Sequence, residues 1–468
     1  MLPLKIYKEA AMEPKIFIDF FYNMLKEFSP HFRSDVAPTF LIIALAWVGT
    51  TRAQRMSNFI RTMGPEHERH TATYYRFFAC SQWCLDRLGV SLLYMARTML
   101  GSHPVLQIVV DDTLLKHRGS CIFGASIFRD AVLSSRSYTV KRWGLNWVLL
   151  ALALPHPYYY GEYICIPLAS RLFLTKEWCE KTETSYASPS ELTVEMVLFF
   201  YEHGPEIEWR LAGDGAYSNQ FLLLLAAKLE RLNYTGRLRY DANLEEPVEW
   251  REYKGRGRHP TYGNPYPKPF QLVKEKTRTR QKVTFLGYQG KEETREVIEL
   301  EGTWKTVAGA QRLRFVFVLP SDPKGETLYL VTTDLTSPLK SILEDFVSRW
   351  CIEVVFREAK QLLGVEKSQV WTEGATRRMA GFGFWLIGMV KIWYLRYHKH
   401  LPSVSLPVGW YEPRDVPSFG KMLSVLRYSL FHTLLTPGAE EEDIFGLFGL
   451  PQDPAKRQDL ILRLFCGC

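Results

Sequence analysis

The chain has 468 residues, 47% hydrophobic and 23% charged, with a formal net charge of +8. That profile excludes a disordered or fibrous protein, and the length asks for two or three domains rather than one core. No apolar run reaches the roughly 18 residues needed to cross a bilayer, which speaks against a membrane protein. The longest run, Met379 to Val390, is bounded by Arg378 and Lys391 and reads as a buried helix.

The amino terminus, MLPLKIYKEA, lacks the apolar stretch and cleavage site of a signal peptide, so a cytoplasmic protein is expected. The eight cysteines lie at 80, 84, 121, 165, 179, 351, 466 and 468. Neither Cys80 with Cys84 nor Cys466 with Cys468 has a matching second pair, which argues against zinc and against a disulfide framework.

Residues 1–104 read as helical. Apolar residues recur at helical spacing through Ile16, Phe20, Met24 and Phe28, and again from Phe40 to Trp47. Arg52, Arg55, Arg61, Arg69 and Arg76 follow, placed either to grip DNA or simply to face solvent. From about 105 the texture changes. Val105 to Val110 is a β-branched run ending in Asp111-Asp112, and Trp209 to Ala212 is a second strand, ending at Gly213-Asp214-Gly215. Asn219 to Leu232 reads as helix and Gly236 to Tyr240 as strand. Strand, helix, strand on this scale indicates an α/β sheet over 105–240.

Residues 241–332 form a β-rich insertion by the same reasoning. It opens on GRGRHPTYGNPYPKP, too rich in Gly and Pro for helix, and continues with short alternating runs. Between Arg251 and Lys282 stand ten Lys or Arg against two Glu, so this segment alone carries a net +8. With Tyr253, Tyr262 and Tyr266 interleaved, it is either a phosphate-backbone contact surface, with Arg256, Arg258, Arg278 and Arg280 as candidates, or a solvated loop. Residues 333–400 return to the core, with one helix from Ser341 to about Leu363. Residues 401–468 complete the chain as a helical tail.

Three acidic positions stand out. Asp111 and Asp112 close one strand, where alternation lets only one of them face a given site. Asp214 closes another strand between two glycines. Glu353 lies on the long helix with Phe346, Arg349 and Lys360, which at about 100° per residue all fall within a 60° stripe. Each element has an ordinary alternative: Asp is a common turn former, and Arg349 with Glu353 is an ordinary helical ion pair. Together, carboxylates on strand ends and a helix are what holding two hard cations about 4 Å apart requires.

The motif Phe346-x2-Arg349-x3-Glu353-x6-Lys360 resembles the Tyr-x2-Arg-x3-Glu-x6-Lys signature of a group of bacterial insertion-sequence transposases of the DDE class. Arg349-Trp350-Cys351-Ile352 matches the residues that lead into the Glu of that group. The resemblance extends to Asp111-Asp112-Thr113 and to Asp214-Gly215-Ala216-Tyr217, and it covers roughly 105–395. Between the acids, 103 positions separate Asp111 from Asp214 and 139 separate Asp214 from Glu353. Phe346 departs from the group's Tyr and removes one hydroxyl.

The resemblance implies an α/β, ribonuclease H-like mixed-sheet catalytic core interrupted by the β-rich insertion and flanked by helical N-terminal and C-terminal regions. It implies a transposase that binds transposon ends, cleaves DNA and joins the free 3′ hydroxyls to target DNA. Asp111, Asp214 and Glu353 would be the catalytic acids and the ligands of two Mg²⁺ or Mn²⁺ ions, with Arg349 and Lys360 on phosphates. The partners implied are double-stranded DNA (terminal inverted repeats and target) and a second copy of the chain, since two ends are processed together. Asp111 is preferred to Asp112 because the pattern leaves one residue before Thr. Two alternatives stand beside this reading: a ribonuclease H-like nuclease without strand transfer, and a transposase-derived DNA-binding protein without activity. Trp304, in the insertion, is either a core tryptophan or a stacking platform for a base.

Overall fold

The computed structural model describes residues 14–435, except 52, 63–68, 101–104, 136, 249–258, 323 and 398–415. Arg52, Arg256, Arg258, Tyr253, the Cys466–Cys468 end and most of the predicted tail lie outside the described residues. The chain divides into two compact units. Met1–Ala96, Leu114–Leu145 and Val355–Cys468 form unit 1, and Arg97–Thr113 with Asn146–Val354 form unit 2.

The strands are β1 (Val105–Lys116), β2 (Ser126–Arg129), β3 (Lys141–Pro155), β4 (Tyr163–Phe173), β5 (Glu208–Gly213), β6 (Leu232–Arg237), β7 (Gln281–Leu286), β8 (Glu292–Thr303), β9 (Arg312–Val318) and β10 (Leu328–Thr332). In unit 2 the first five run in the order β4-β3-β1-β5-β6. β3 and β4 are antiparallel, while β1 with β5 and β5 with β6 are parallel. This is the order of a ribonuclease H-like core, and the fold is mixed α/β. The central strands are buried on both faces, and they accordingly read as continuous apolar runs such as WVLLALAL in β3. From β6 the sheet continues antiparallel through β10, β9, β8 and β7, so the β-rich segment extends the same sheet.

Two boundaries differ from the expectation. β1 runs through Asp111-Asp112 to Lys116 instead of ending there, because β3 stays beside it as far as the His117 N–H, which donates to the Trp143 carbonyl at 3.3 Å. The helix predicted over 219–232 stops at Lys228, and the following strand starts at Leu232 because Tyr234 and Thr235 pair with Leu211 and Ala212 of β5.

The helices of unit 2 are α6 (Lys176–Thr182), α7 (Pro189–Tyr201), α8 (Gln220–Lys228), α9 (Pro269–Leu272), α10 (Lys305–Ala308) and α11 (Leu339–Ser348). α7 starts on a capping box in which Ser188 and Glu191 satisfy each other's backbone N–H groups. α11 packs Leu339, Ile342 and Leu343 onto Val297, Val316 and Leu330 of the sheet. Arg210 of β5 fixes its position, with Nη1 donating to Asp345 at 3.1 Å, while the Gln107 amide donates to the Asp345 carbonyl at 3.1 Å.

The helix predicted from 341 to 363 is two helices, α11 and α12 (Trp350–Gln361). Around Arg349 the backbone bonds shorten to three-residue spacing: Arg349 N–H to the Phe346 carbonyl, and Ile352 N–H to the Arg349 carbonyl. Such a tight turn interrupts the α-helical ladder.

Unit 1 is built from α1 (Pro14–Lys26), α2 (Ala37–Gly49), α3 (Met56–Thr62), α4 (Thr71–Ala79), the first part of α5 (Leu85–Leu100), the last part of α12, α13 (Glu373–Tyr397) and α14 (Phe419–Leu435). The helical reading of the first hundred residues thus matches the helices described there. α13 contains the Met379–Val390 run and is buried throughout it. Phe40, Trp47, Phe77 and Trp83 gather around Phe382 at ring distances of 5.8 to 6.0 Å. Among the described residues, no helix is long and apolar enough to cross a membrane.

Candidate active site

Parallel pairing of β1 with β5 sets the site. Val109 stands opposite Ala212, and continuing that register by two residues brings Asp111 level with Asp214, just past the end of β5. The turn after β5 depends on Gly213. A Cβ there would lie 2.8 Å from the Tyr217 Cβ and 3.0 Å from the Tyr234 hydroxyl. Gly215 has no such constraint, its nearest neighbour being 3.8 Å away. Asp214 then folds back on its own loop, accepting the Ala216 N–H at 2.9 Å, as Asp does in a tight turn.

Arg349 is the cation among these acids. Its Nη1 donates to Asp111 Oδ2 at 2.9 Å and lies 3.5 Å from Glu353 Oε1. Its Nε is buried without a hydrogen-bond partner. The guanidinium lies 5.7 Å over the Phe346 ring, and Phe346 packs against the apolar cluster beneath α11.

Asp112, set aside in the sequence, is equally well held. Its carboxylate accepts the Asn146 amide at 2.8 Å and the Tyr217 hydroxyl at 3.4 Å. Asn146 and Tyr217 were not singled out by sequence reasoning, although Tyr217 closes the Asp-Gly-Ala-Tyr motif. Strand alternation separates the faces of Asp111 and Asp112, yet both feel the charge of Asp214.

The electrostatics record this crowding. Burial pushes the Asp111 carboxyl up to about 7; Arg349 opposes the shift, and Asp214 and Asp112 add to it. Burial also raises Asp112 and Glu353, with Arg349 pulling Glu353 back. The Tyr217 hydroxyl is held well above its ordinary range by burial and then by Asp112, Asp111 and Asp214. One guanidinium thus serves two carboxylates, Asp111 and Glu353, and like charges so close raise each other's affinity for a proton or a cation. The donor set is all oxygen and hard, which suits Mg²⁺ or Mn²⁺. As the side chains stand, no group of three His, Cys, Asp or Glu among the described residues is gathered tightly enough to hold an ion, and Arg349 engages the acids instead.

A sequence model described as DDE superfamily endonuclease matches residues 23–297. The chain belongs to the DDE superfamily of endonucleases. The matched span includes Asp111 and Asp214 and stops short of Glu353. No curated protein matches the chain. Endonuclease-family membership makes this an enzyme of DNA, and DDE endonucleases typically use divalent metal ions.

The remaining predicted residues have different surroundings. Lys360 belongs to unit 1, where burial lowers its pKa among the charges of Glu366, Lys116 and Asp130. Arg278 pairs with Glu275 at 3.0 Å, and Arg280 with Glu296 at 3.3 Å, so each has an acidic neighbour rather than a bare surface. Trp304 is 5% exposed and lines a cleft of about 880 Å³ together with Asp112, Tyr217, Arg237, Arg239 and Lys268. The cleft's basic residues are scattered in sequence, Arg237 closing β6, Arg239 in the loop after it and Lys268 just before α9, so that only Lys268 falls in the basic segment read from the sequence.

Proposed function

We propose that this DDE endonuclease is a cut-and-paste DNA transposase of the insertion-sequence group with the Tyr-x2-Arg-x3-Glu-x6-Lys signature. On this reading it acts as a dimer on the terminal inverted repeats of its element. The observation that carries the proposal is the convergence of Asp111, Asp214, Arg349 and Glu353 from two parallel strands and a helix on one ribonuclease H-like sheet.

Asp111, Asp214 and Glu353 are the proposed ligands of two Mg²⁺ or Mn²⁺ ions. When bound, such ions supply a Lewis acid that activates the attacking water or 3′ hydroxyl and neutralises charge on the phosphate. Arg349 restrains Asp111 and Glu353, and Asn146 and Tyr217 hold Asp112 at the edge of the basic cleft. Arg237 and Lys268 supply positive charge for the phosphates of the strand that enters there, while Arg239 is paired with Asp241 at 2.9 Å on the same cleft. Lys360 and the arginines of the 251–282 segment are proposed as further backbone contacts.

A second reading, a DNA-binding protein without activity, draws support from one observation: Arg349 is seated on Asp111 where an ion would be needed. Cleavage and strand transfer on DNA bearing the element's own ends separates the two. Metal-dependent cutting and joining, both abolished by Glu353→Gln while DNA binding persists, is the expected result. Cutting without joining would leave a nuclease, and binding without cutting in either metal would leave the inactive protein.

A further inference from the structure

We propose that unit 1 carries a binding pocket for a single unpaired nucleobase, walled by Trp371 and Tyr75. This goes beyond the proposed cleavage site and rests on DNA being the substrate. The pocket has a volume of about 130 Å³, and its inner lining includes Met56, Phe78 and Met379, which are 7%, 2% and 2% exposed. Its walls are unusual for a folded interior. Trp371 is 69% exposed and Tyr75 51%, so two large rings stand largely in water beside an apolar hollow.

Size and chemistry select the occupant. An apolar cavity of roughly 150 Å³ holds one benzene ring, so this hollow takes one six-membered ring of a base, the rest lying against the exposed wall, and not a folded segment. Ser57, Gln369 and Thr372 also line it, offering hydrogen bonds that suit the polar edge of a base better than an aliphatic side chain. Among the described residues, none that lines the pocket is acidic. Arg55 immediately precedes Met56, and Arg76 immediately follows Tyr75; both are exposed. Aromatic walls with arginines alongside are the combination that binds single strands, the rings taking bases and the cations taking phosphates.

The backbone that carries Trp371 is also held in place. The Trp371 carbonyl accepts the Phe123 N–H at 3.0 Å, and the Thr372 carbonyl accepts the Thr376 N–H at 2.9 Å, fixing this stretch at the head of α13. Arg377 in the first turns of that helix pairs with Glu373 at 2.9 Å and lies 5.1 Å over the Phe123 ring. With the backbone fixed, only the side-chain torsions of Trp371 are left to order when a base stacks on it.

The test uses the full chain in EDTA, so that no cutting intervenes, and a single-stranded oligonucleotide carrying one 2-aminopurine. Wild type is expected to quench the fluorescence on binding. Trp371→Ala should abolish the quench and weaken single-strand binding roughly tenfold or more, the effect of losing one stacked base, while duplex affinity stays unchanged. Trp371→Phe should restore most of both. Because Trp371 is mostly exposed, an unaltered melting curve is expected for either variant. An equal quench in Trp371→Ala, or an equal loss of duplex and single-strand affinity, would overturn the pocket. Wild type that binds and cleaves DNA without any quench would overturn it too, leaving the transposase reading intact. Failure to bind any DNA would remove both. Displacement of the quench by an apolar peptide but not by excess unlabelled single strand would mark a protein-docking site instead.

Discussion

Replacing Asp111 by Asn is predicted to destroy activity and yet stabilise the protein at alkaline pH. The Asp111 side chain is 15% exposed, and its carboxyl is pushed from 3.8 up to about 7 by burial and by Asp214 and Asp112. A raised carboxyl means that the folded chain holds a proton the unfolded chain has already released. The stability it contributes is fully present below 3.8 and is lost as pH rises through about 7. A difference of about 3 pH units corresponds to about 4 kcal/mol by pH 8. Asn has no proton to lose and keeps an oxygen for Arg349, so Asp111→Asn should match wild type near pH 4 and exceed it by up to about 4 kcal/mol at pH 8. Urea unfolding in EDTA across this range, followed by tryptophan fluorescence, measures the gap. Saturating Mg²⁺ at pH 8 should stabilise wild type and leave the variant where it was. An Asp111→Asn protein less stable than wild type at pH 8, or one with the same pH slope, would refute the reasoning.

The turn after β5 offers a paired test. Gly213→Ala forces a Cβ to 2.8 Å from that of Tyr217 and should cost roughly 2 kcal/mol, whereas Gly215→Ala meets only ordinary contacts and should stay within about 0.5 kcal/mol. Equal urea midpoints for the two variants would contradict the geometry. Asp345, on α11, is pushed from 3.8 up to about 6 by burial against the pull of Arg210. Its contribution is therefore fully present below 3.8 and lost as pH rises through about 6, and Asp345→Asn should remove up to about 3 kcal/mol of that dependence. An unaltered stability profile between pH 4 and 7 would show that Asp345 does not carry it.

The core was legible because its strands are buried on both faces and so read as apolar runs, and because each predicted acid lies at a change of texture. Asp214 sits where the apolar WRLA run gives way to a glycine-flanked turn, and Glu353 sits in a stripe of helical spacing. What stayed hidden depends on contacts across long sequence gaps. Asn146 reaches Asp112 only because β3 lies beside β1, and nothing local to residue 146 announces a site. The break at Arg349 was missed for the opposite reason. The local pattern is strongly helical, and periodicity does not report a change from four-residue to three-residue bonding. Strand alternation separates the faces of Asp111 and Asp112 but does not report their partners: Arg349 holds one, and Asn146 with Tyr217 hold the other.

The central claim is that Asp111, Asp214 and Glu353 form a two-metal site, and Mn²⁺ binding followed by electron paramagnetic resonance tests it without requiring turnover. With uncleaved DNA ends present, wild type should bind two Mn²⁺ ions per chain, and Asp214→Asn and Glu353→Gln should each lose at least one. Undiminished occupancy in both variants, or none in wild type, would contradict it.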